Sequence, residues 1–241
     1  MKLIGFCKFF NDKDNLGNML TEMNRICDLI VLCDDSSTDG SKEIAERFTK
    51  HIITLPDDFE AEGEHKQKLL EYIRGLDLQD DAWILQLDSD EVLDKPEEIK
   101  NLCEFLNENG YDSALFHLKN LFLSNQWYRL DNQFNSLWKL NLWKFSELKF
   151  DISRGLHKPQ NPINLSKPFH SNISILHFGF STPDLIAKKY KKYKSLGQQG
   201  YALERLKPTI QKMNLKSLNN DILEPEPKPL TEQQWEDILN A

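Results

Sequence analysis

Short apolar runs alternate with amphipathic stretches through the first hundred residues. Leu3-Ile4-Gly5-Phe6-Cys7 has the unbroken apolar character of a strand covered on both faces. Asp28-Leu29-Ile30-Val31-Leu32-Cys33, His51-Ile52-Ile53-Thr54-Leu55 and Trp83-Ile84-Leu85-Gln86-Leu87 repeat that character. Between the first two runs, Leu16, Met19, Leu20 and Met23 recur at helical spacing, which predicts a helix over 14–26. Residues 41–48 and 64–75 predict two more. The resulting β-α-β-α-β-α-β order implies a mainly parallel sheet covered by helices. In such sheets ligands bind beyond the carboxyl ends of the strands. Two acidic clusters, at Asp34 and at Asp88, fall at those ends.

The second half changes character. Residues 114–150 are rich in aromatics, among them Phe116, Phe122, Trp127, Tyr128, Phe134, Trp138, Trp143, Phe145 and Phe150, and predict strands. Ser174-Ile175-Leu176-His177-Phe178 predicts a short strand, and Pro183 opens a helix over 184–196 rich in lysine and tyrosine. Beyond Pro208 the chain is polar, and Glu224-Pro225-Glu226-Pro227-Lys228-Pro229 has the composition of a stiff linker. Thr231-Glu232-Gln233-Gln234 is a capping box for a short terminal helix. These features divide the chain into one domain over 1–207 and a loosely attached linker and helix over 208–241.

The formal charge of −8 argues against a general nucleic-acid binder, which needs a basic footprint. An acidic ligand stays compatible with it where a metal ion supplies local positive charge. Cys7, Cys27, Cys33 and Cys103 form no CxxC pair, so they are expected as reduced thiols. Neither a signal segment nor an apolar run of 18 residues is present, which makes the cytoplasm the default location.

Asp88-Ser89-Asp90 follows an apolar strand. Residues i and i+2 of an extended segment point the same way, so both carboxylates can face one ion. Two carboxylates about 5 Å apart repel by roughly 3 kcal/mol at an effective dielectric near 20, which favours a cation between them. Oxygen ligands suit Mg²⁺ or Mn²⁺. In the other acidic turn, Asp35, Ser37, Asp39, Gly40 and Glu46 fall on positions 1, 3, 5, 6 and 12 of an EF-hand loop. Calcium is rejected there because a strand, not a helix, precedes the turn, and Lys42 stands where an apolar residue packs.

Val31-Leu32-Cys33-Asp34-Asp35-Ser36-Ser37-Thr38-Asp39-Gly40-Ser41 and Ile84-Leu85-Gln86-Leu87-Asp88-Ser89-Asp90-Glu91 resemble the two signature segments of family 2 glycosyltransferases. The resemblance covers roughly residues 1–195. It implies an α/β, GT-A-like fold, with a Rossmann-like nucleotide-sugar half over 1–110 and an acceptor half over 111–207. By that resemblance Asp34, within the Asp34-Asp35 donor-binding turn, meets the nucleotide base. Asp88 meets the ribose or the metal, Asp90 is the principal metal ligand, and Asn11 lines the nucleotide pocket. Lys66 matches a basic position facing the donor, and His177, in His177-Phe178-Gly179-Phe180, completes the metal or diphosphate site. The implied activity is transfer of a sugar from a nucleotide-diphosphate donor to a hydroxyl, with inversion. A glycan, a lipid-linked precursor or a protein side chain would serve as acceptor.

Such transfer needs a base to take the acceptor proton. Similar enzymes carry a His-Glu pair after the Leu142-Trp143-Lys144 strand, whereas this chain has His157-Lys158. Asp151, His157 and Asp131 are therefore the candidates, with Arg154 and Lys158 as possible phosphate contacts. The aromatic stretch suits either a core or sugar stacking. Lys188, Lys189, Lys191, Lys192 and Lys194 suit either a solvated helix face or weak association with an anionic membrane surface. A nucleotidyltransferase and a non-catalytic sugar-binding module are the competing classes. The first normally carries a basic glycine-rich loop after its first strand, and Lys8-Phe9-Phe10-Asn11-Asp12 is not one.

Overall fold

The computed structural model describes residues 1–76, 78, 81–131, 134, 137–155, 161–204, 206–209, 214–218 and 225–240. The amino-terminal region follows the expected alternation: β1 (Lys2–Phe9), α1 (Lys13–Ile26), β2 (Leu29–Asp34), α2 (Ser41–Ala45), β3 (Ile52–Thr54), α3 (Glu62–Arg74) and β4 (Ala82–Gln86). β1 pairs in parallel with both β2 and β4, and β2 with β3. In this register Phe9 stands opposite Asp34 and Phe6 opposite Gln86, so the chain leaves three adjacent strands at the same sheet edge. That common exit brings distant acidic turns together.

The remaining strands are β5 (Glu91–Leu93), β6 (Ser113–Asn120), β7 (Trp127–Arg129), β8 (Trp138–Lys144), β9 (Pro168–His177) and β10 (Leu215–Ser217), and α4 covers Ile99–Glu108. Among the described residues the main sheet has eight strands in the order β3-β2-β1-β4-β8-β6-β9-β5. β8 joins β4 antiparallel, with Leu85 opposite Leu142 and Trp83 opposite Lys144. The parallel half is thus extended by a mixed half, as an α/β sheet of this kind allows.

The chain forms two compact units. The first comprises 1–117 and 138–175, and the second 118–137 and 176–241. This partition differs from the linear division at 110 and 207, because β6 and β9 each carry the chain from one unit to the other. In the first unit Ile4, Phe6, Val31, Ile84 and Trp143 share an apolar core with Leu69, Leu70 and Ile73 of α3. Burying each such aliphatic side chain contributes about 1.5–3 kcal/mol. Gly5 is required by close packing, since a Cβ there would lie 2.8 Å from the sulfur of Met23 on α1.

The second unit is built around Phe122, Phe134, Phe180, Ile186, Ala187, Leu206 and Trp235. α5 (Pro183–Ser195) starts at Thr182, whose hydroxyl accepts from the Leu185 N–H at 3.3 Å. α6 spans Tyr201–Glu204 and α7 Glu232–Asn240. The capping box is present: the Gln234 N–H donates to the Thr231 hydroxyl, and Gln234 Oε1 accepts from the Thr231 N–H. α7 is not a loose appendage of this unit. Trp235 is buried and meets Tyr190 edge to face at 5.5 Å. No described helix is long and apolar enough to cross a membrane.

Candidate functional site

The loops that follow β1, β2 and β4 are tied into one frame. The Asn11 N–H donates to Ser37 Oγ at 3.0 Å, and the Thr38 N–H donates to Asn11 Oδ1 at 2.8 Å. Asp39 accepts from the backbone N–H groups of Lys13 and Ser41, and Ser41 Oγ accepts from Asp12. Ser89, inside Asp88-Ser89-Asp90, donates to Asp12 Oδ2 at 2.6 Å. Much of the Asp34–Ser41 turn therefore works by bracing the first loop, and Asp12 connects that loop to the third. Asn11 and Ser36 have φ of 47° and 59°. Asn tolerates this left-handed backbone, whereas Ser pays on the order of 1 kcal/mol, so the surrounding bonds must hold it.

Asp34 is 1% exposed. Its Oδ1 accepts from the Ser37 N–H at 2.9 Å, while its buried Oδ2 has no hydrogen-bond partner among the described residues. Native interiors rarely leave a carboxylate oxygen in that state. An acceptor kept open at a strand end is suited to an N–H brought by a ligand.

Asp35 faces a different set of partners. It holds Lys8 Nζ at 2.5 Å and His65 Nδ1 at 2.9 Å, with Cys33 Sγ at 3.7 Å from the same oxygen as His65. Cys33, Asp35 and His65 bring potential metal-ligating atoms within 4.8 Å of one another. Burial, reinforced by Asp35, pushes the Cys33 thiol well up, so with no metal bound it is a protonated donor to Asp35. Burial opposes the Lys8 charge, but Asp35 overrides it and holds the ammonium on. The trio is accounted for as a buried hydrogen-bond network.

At the third strand end, Asp88 Oδ2 accepts from Lys139 Nζ at 2.8 Å, and the same ammonium lies 2.5 Å from Glu91 Oε1. Glu91 Oε2 accepts from the Asp88 N–H at 3.0 Å. Burial disfavours charge on Asp88, yet Lys139 and then Lys66 override it and hold the carboxyl well below its ordinary range. The cation expected from Asp88–Asp90 repulsion is thus supplied in part by the protein itself. Asp90 is largely buried at the same turn. The donor set of Asp88 and Asp90 is oxygen only, which fits a hard divalent ion. Lys66 is buried on α3 and pairs with Glu62 at 2.9 Å rather than lying on a solvated face.

The proposed bases fall in different surroundings. Asp151 lies in the first unit, where its Oδ1 accepts from the Ser153 N–H at 2.9 Å. Its backbone carbonyl packs against Gly63 at the start of α3, so closely that a Cβ on Gly63 would lie 1.9 Å from the oxygen. Gly63 is two residues before His65 on the helix that also carries Lys66. Asp131 lies in the second unit, gripped by Arg129 through two bonds of 2.7 Å. Arg129 is fully buried between the rings of Phe122 and Phe134, at 4.9 and 4.5 Å. Burial opposes the Asp131 charge, but Arg129 overrides it and holds the carboxyl below its ordinary range. That environment suits a structural anchor and makes a weak base. His157, with Lys158, lies outside the described residues.

His177 also belongs to the second unit. Its Nδ1 lies 2.7 Å from Asn120 Oδ1 and its Nε2 2.9 Å from Lys189 Nζ. Nδ1–H donation with Nε2 accepting from the ammonium satisfies both contacts. Lys189 is therefore engaged on the inner side of α5, while Lys188, Lys191 and Lys194 are exposed. Arg154 is paired at the surface with Asp58.

Sequence reasoning missed Lys8, Asp12, His65, Lys139 and Asn141. Glu91 was visible only as the residue completing Asp88-Ser89-Asp90-Glu91. Lys139 and Asn141 sit two apart on β8, Asn141 at the irregularity in its pairing with β6, and both reach Glu91. No motif marks them.

The Glycosyl transferase family 2 model matches residues 8–163. An uncharacterized glycosyltransferase of Mycoplasma pneumoniae, the MG060 homolog, is 26% identical over 102 residues, which are 42% of this chain and 34% of that protein. Among solved structures, S. aureus TarS aligns with a TM-score of 0.52 at 14% identity, over 86% of this chain and 42% of TarS. The TarS 1-349 fragment in complex with UDP-GlcNAc gives the same score and identity, over 86% of this chain and 70% of the fragment. The chain thus spans about a third of its curated relative and under half of full TarS.

Proposed function

The chain belongs to glycosyl transferase family 2, and on that premise we propose that it transfers a sugar from a nucleoside-diphosphate donor to an acceptor hydroxyl, with inversion. The observation that carries this reading is the open Oδ2 of Asp34, held at the sheet edge from which Asp88 and Asp90 also emerge. A buried acceptor of that kind discriminates strongly for a base bearing an N–H, because any other occupant leaves it unpaired. Asn11 holds the wall of the base pocket through Ser37 and Thr38. Asp35 acts indirectly, by fixing Lys8 and His65.

Asp90, with Asp88 beside it, would hold Mn²⁺ or Mg²⁺, which when bound neutralises the departing diphosphate. Lys66 adds positive potential near Asp88 that favours the same phosphates. Asp151 is the preferred base, since it lies in the same unit as Asp34, Asp88 and Asp90, with its backbone against Gly63 on the helix that carries Lys66. Positioning of the acceptor, whether glycan, lipid-linked or protein, supplies much of the remaining acceleration.

The test is a thermal-shift screen of nucleotide sugars with Mn²⁺, comparing wild type with Asp90→Ala. A ligand that binds the native state raises the melting temperature by mass action. A cognate donor should raise Tm in the wild type, and Asp90→Ala should stay folded while losing the metal-dependent part of the gain. An unchanged metal-dependent shift in the variant would refute the assignment.

A further inference from the structure

Lys139 is not part of either signature segment, yet it enters the acidic turn. Its Nζ lies between Asp88 Oδ2 and Glu91 Oε1, at 2.8 and 2.5 Å. Glu91 is 1% exposed, and its second oxygen is tied to the Asp88 N–H and, at 3.5 Å, to Asn141 Nδ2. Asn141 is itself anchored, with the same nitrogen donating to the Gln86 carbonyl at the end of β4. Lys139 and Asn141 thus form a bracket from β8 that clamps the turn after β4. The lysine side chain is only 20% exposed, and its ammonium is fixed by two carboxylates rather than free to swing.

An ammonium in that place has a consequence for any divalent ion at Asp88 and Asp90. It already neutralises one Asp88 oxygen, and it repels a second cation at short range. We propose that Lys139 is a positioning residue, a tethered cation that withholds Asp88 from the metal. The ion is then held mainly through Asp90 and binds weakly until the donor's diphosphate arrives to share it. This inference rests on the reading of Asp88 and Asp90 as the metal site. It adds a residue that sets the strength and order of metal binding.

The test measures Mn²⁺ binding, without nucleotide, from the electron paramagnetic resonance signal of free Mn²⁺. Wild type, Lys139→Met, Lys139→Arg and Asp90→Ala are compared. Lys139→Met should bind Mn²⁺ about tenfold more tightly, the scale of one charge–charge contact in partly aqueous surroundings. Lys139→Arg should behave as wild type. Because Lys139→Met strands the buried Glu91 charge, Lys139→Met/Glu91→Gln is the second variant. It removes both charges together and should keep the gain. Equal or weaker Mn²⁺ binding in both Met variants would overturn the proposal. If Asp90→Ala loses Mn²⁺ while the Met variants match wild type, only the role of Lys139 fails. If Asp90→Ala binds as well as wild type, the metal site itself is misassigned and the proposal goes with it.

Discussion

Each unit buries ionic groups, and the two sets are finished differently. In the second unit Arg129 and Asp131 are matched by two hydrogen bonds, and the guanidinium is sealed between Phe122 and Phe134. In the first unit the strand-end carboxylates keep something in reserve. Among the described residues Asp34 has a buried oxygen without a partner, and Asp88 shares one ammonium with Glu91 while staying 38% exposed. Complete satisfaction marks a group that holds a fold together. Incomplete satisfaction costs stability and is retained where a ligand will complete it.

The contrast predicts that substitutions in the two sets separate activity from stability. The largest effect should come from Asp151→Asn, with kcat falling by about 10²–10⁴ and KM little changed, the range for loss of a general base. Steady-state kinetics on folded protein checks it. If Asp131→Asn gives that collapse at unchanged Tm instead, Asp131 is the base and the contrast breaks. Next, Arg129→Met should cost about 3–5 kcal/mol, because it strands a paired carboxylate. Urea unfolding measures this, and Arg129→Met/Asp131→Leu should recover part of the loss. Asp34→Asn should do the reverse. It keeps an oxygen for the Ser37 N–H but turns a donor toward the ligand, so donor affinity should drop roughly tenfold or more while stability stays within about 0.5 kcal/mol. Calorimetric titration with the donor found in the thermal screen tests that pair of numbers.

The smallest expected effect is a pH dependence. The Asp131 carboxyl is held below its ordinary range, so its stabilisation is fully present above the unfolded value of about 3.9. It is lost as pH falls through the depressed folded value. The stability gap between wild type and Arg129→Met should therefore be constant above about pH 5 and shrink in more acidic solution. A gap that widens on acidification would contradict the ion-pair account.

The elements that were legible share one trait, a local pattern strong enough to survive any packing. The apolar strands β1, β2 and β4, the helical spacing of Leu16, Met19, Leu20 and Met23, and the Thr231–Gln234 cap all lie where expected. Errors gathered where local and tertiary preferences differ. The second helix stops at Ala45, because Arg47 and Phe48 turn back with i to i−3 bonds to Ile44 and Ala45. β9 begins at Pro168 rather than Ser174, its early residues being too exposed to show an apolar run.

By itself the sequence determined the parallel sheet, the position of both acidic turns at strand ends, and the family they resemble. Those follow from short-range periodicity and from contiguous residues, which a linear text records. Only the tertiary structure decided which charges meet. Lys139 reaches Asp88 across 51 positions and His65 reaches Asp35 across 30, whereas Asp131 is claimed by Arg129 two residues away, itself held between the rings of Phe122 and Phe134. A carboxylate's chemistry is set by what stands within about 4 Å of it, and folding, not chain order, chooses those neighbours.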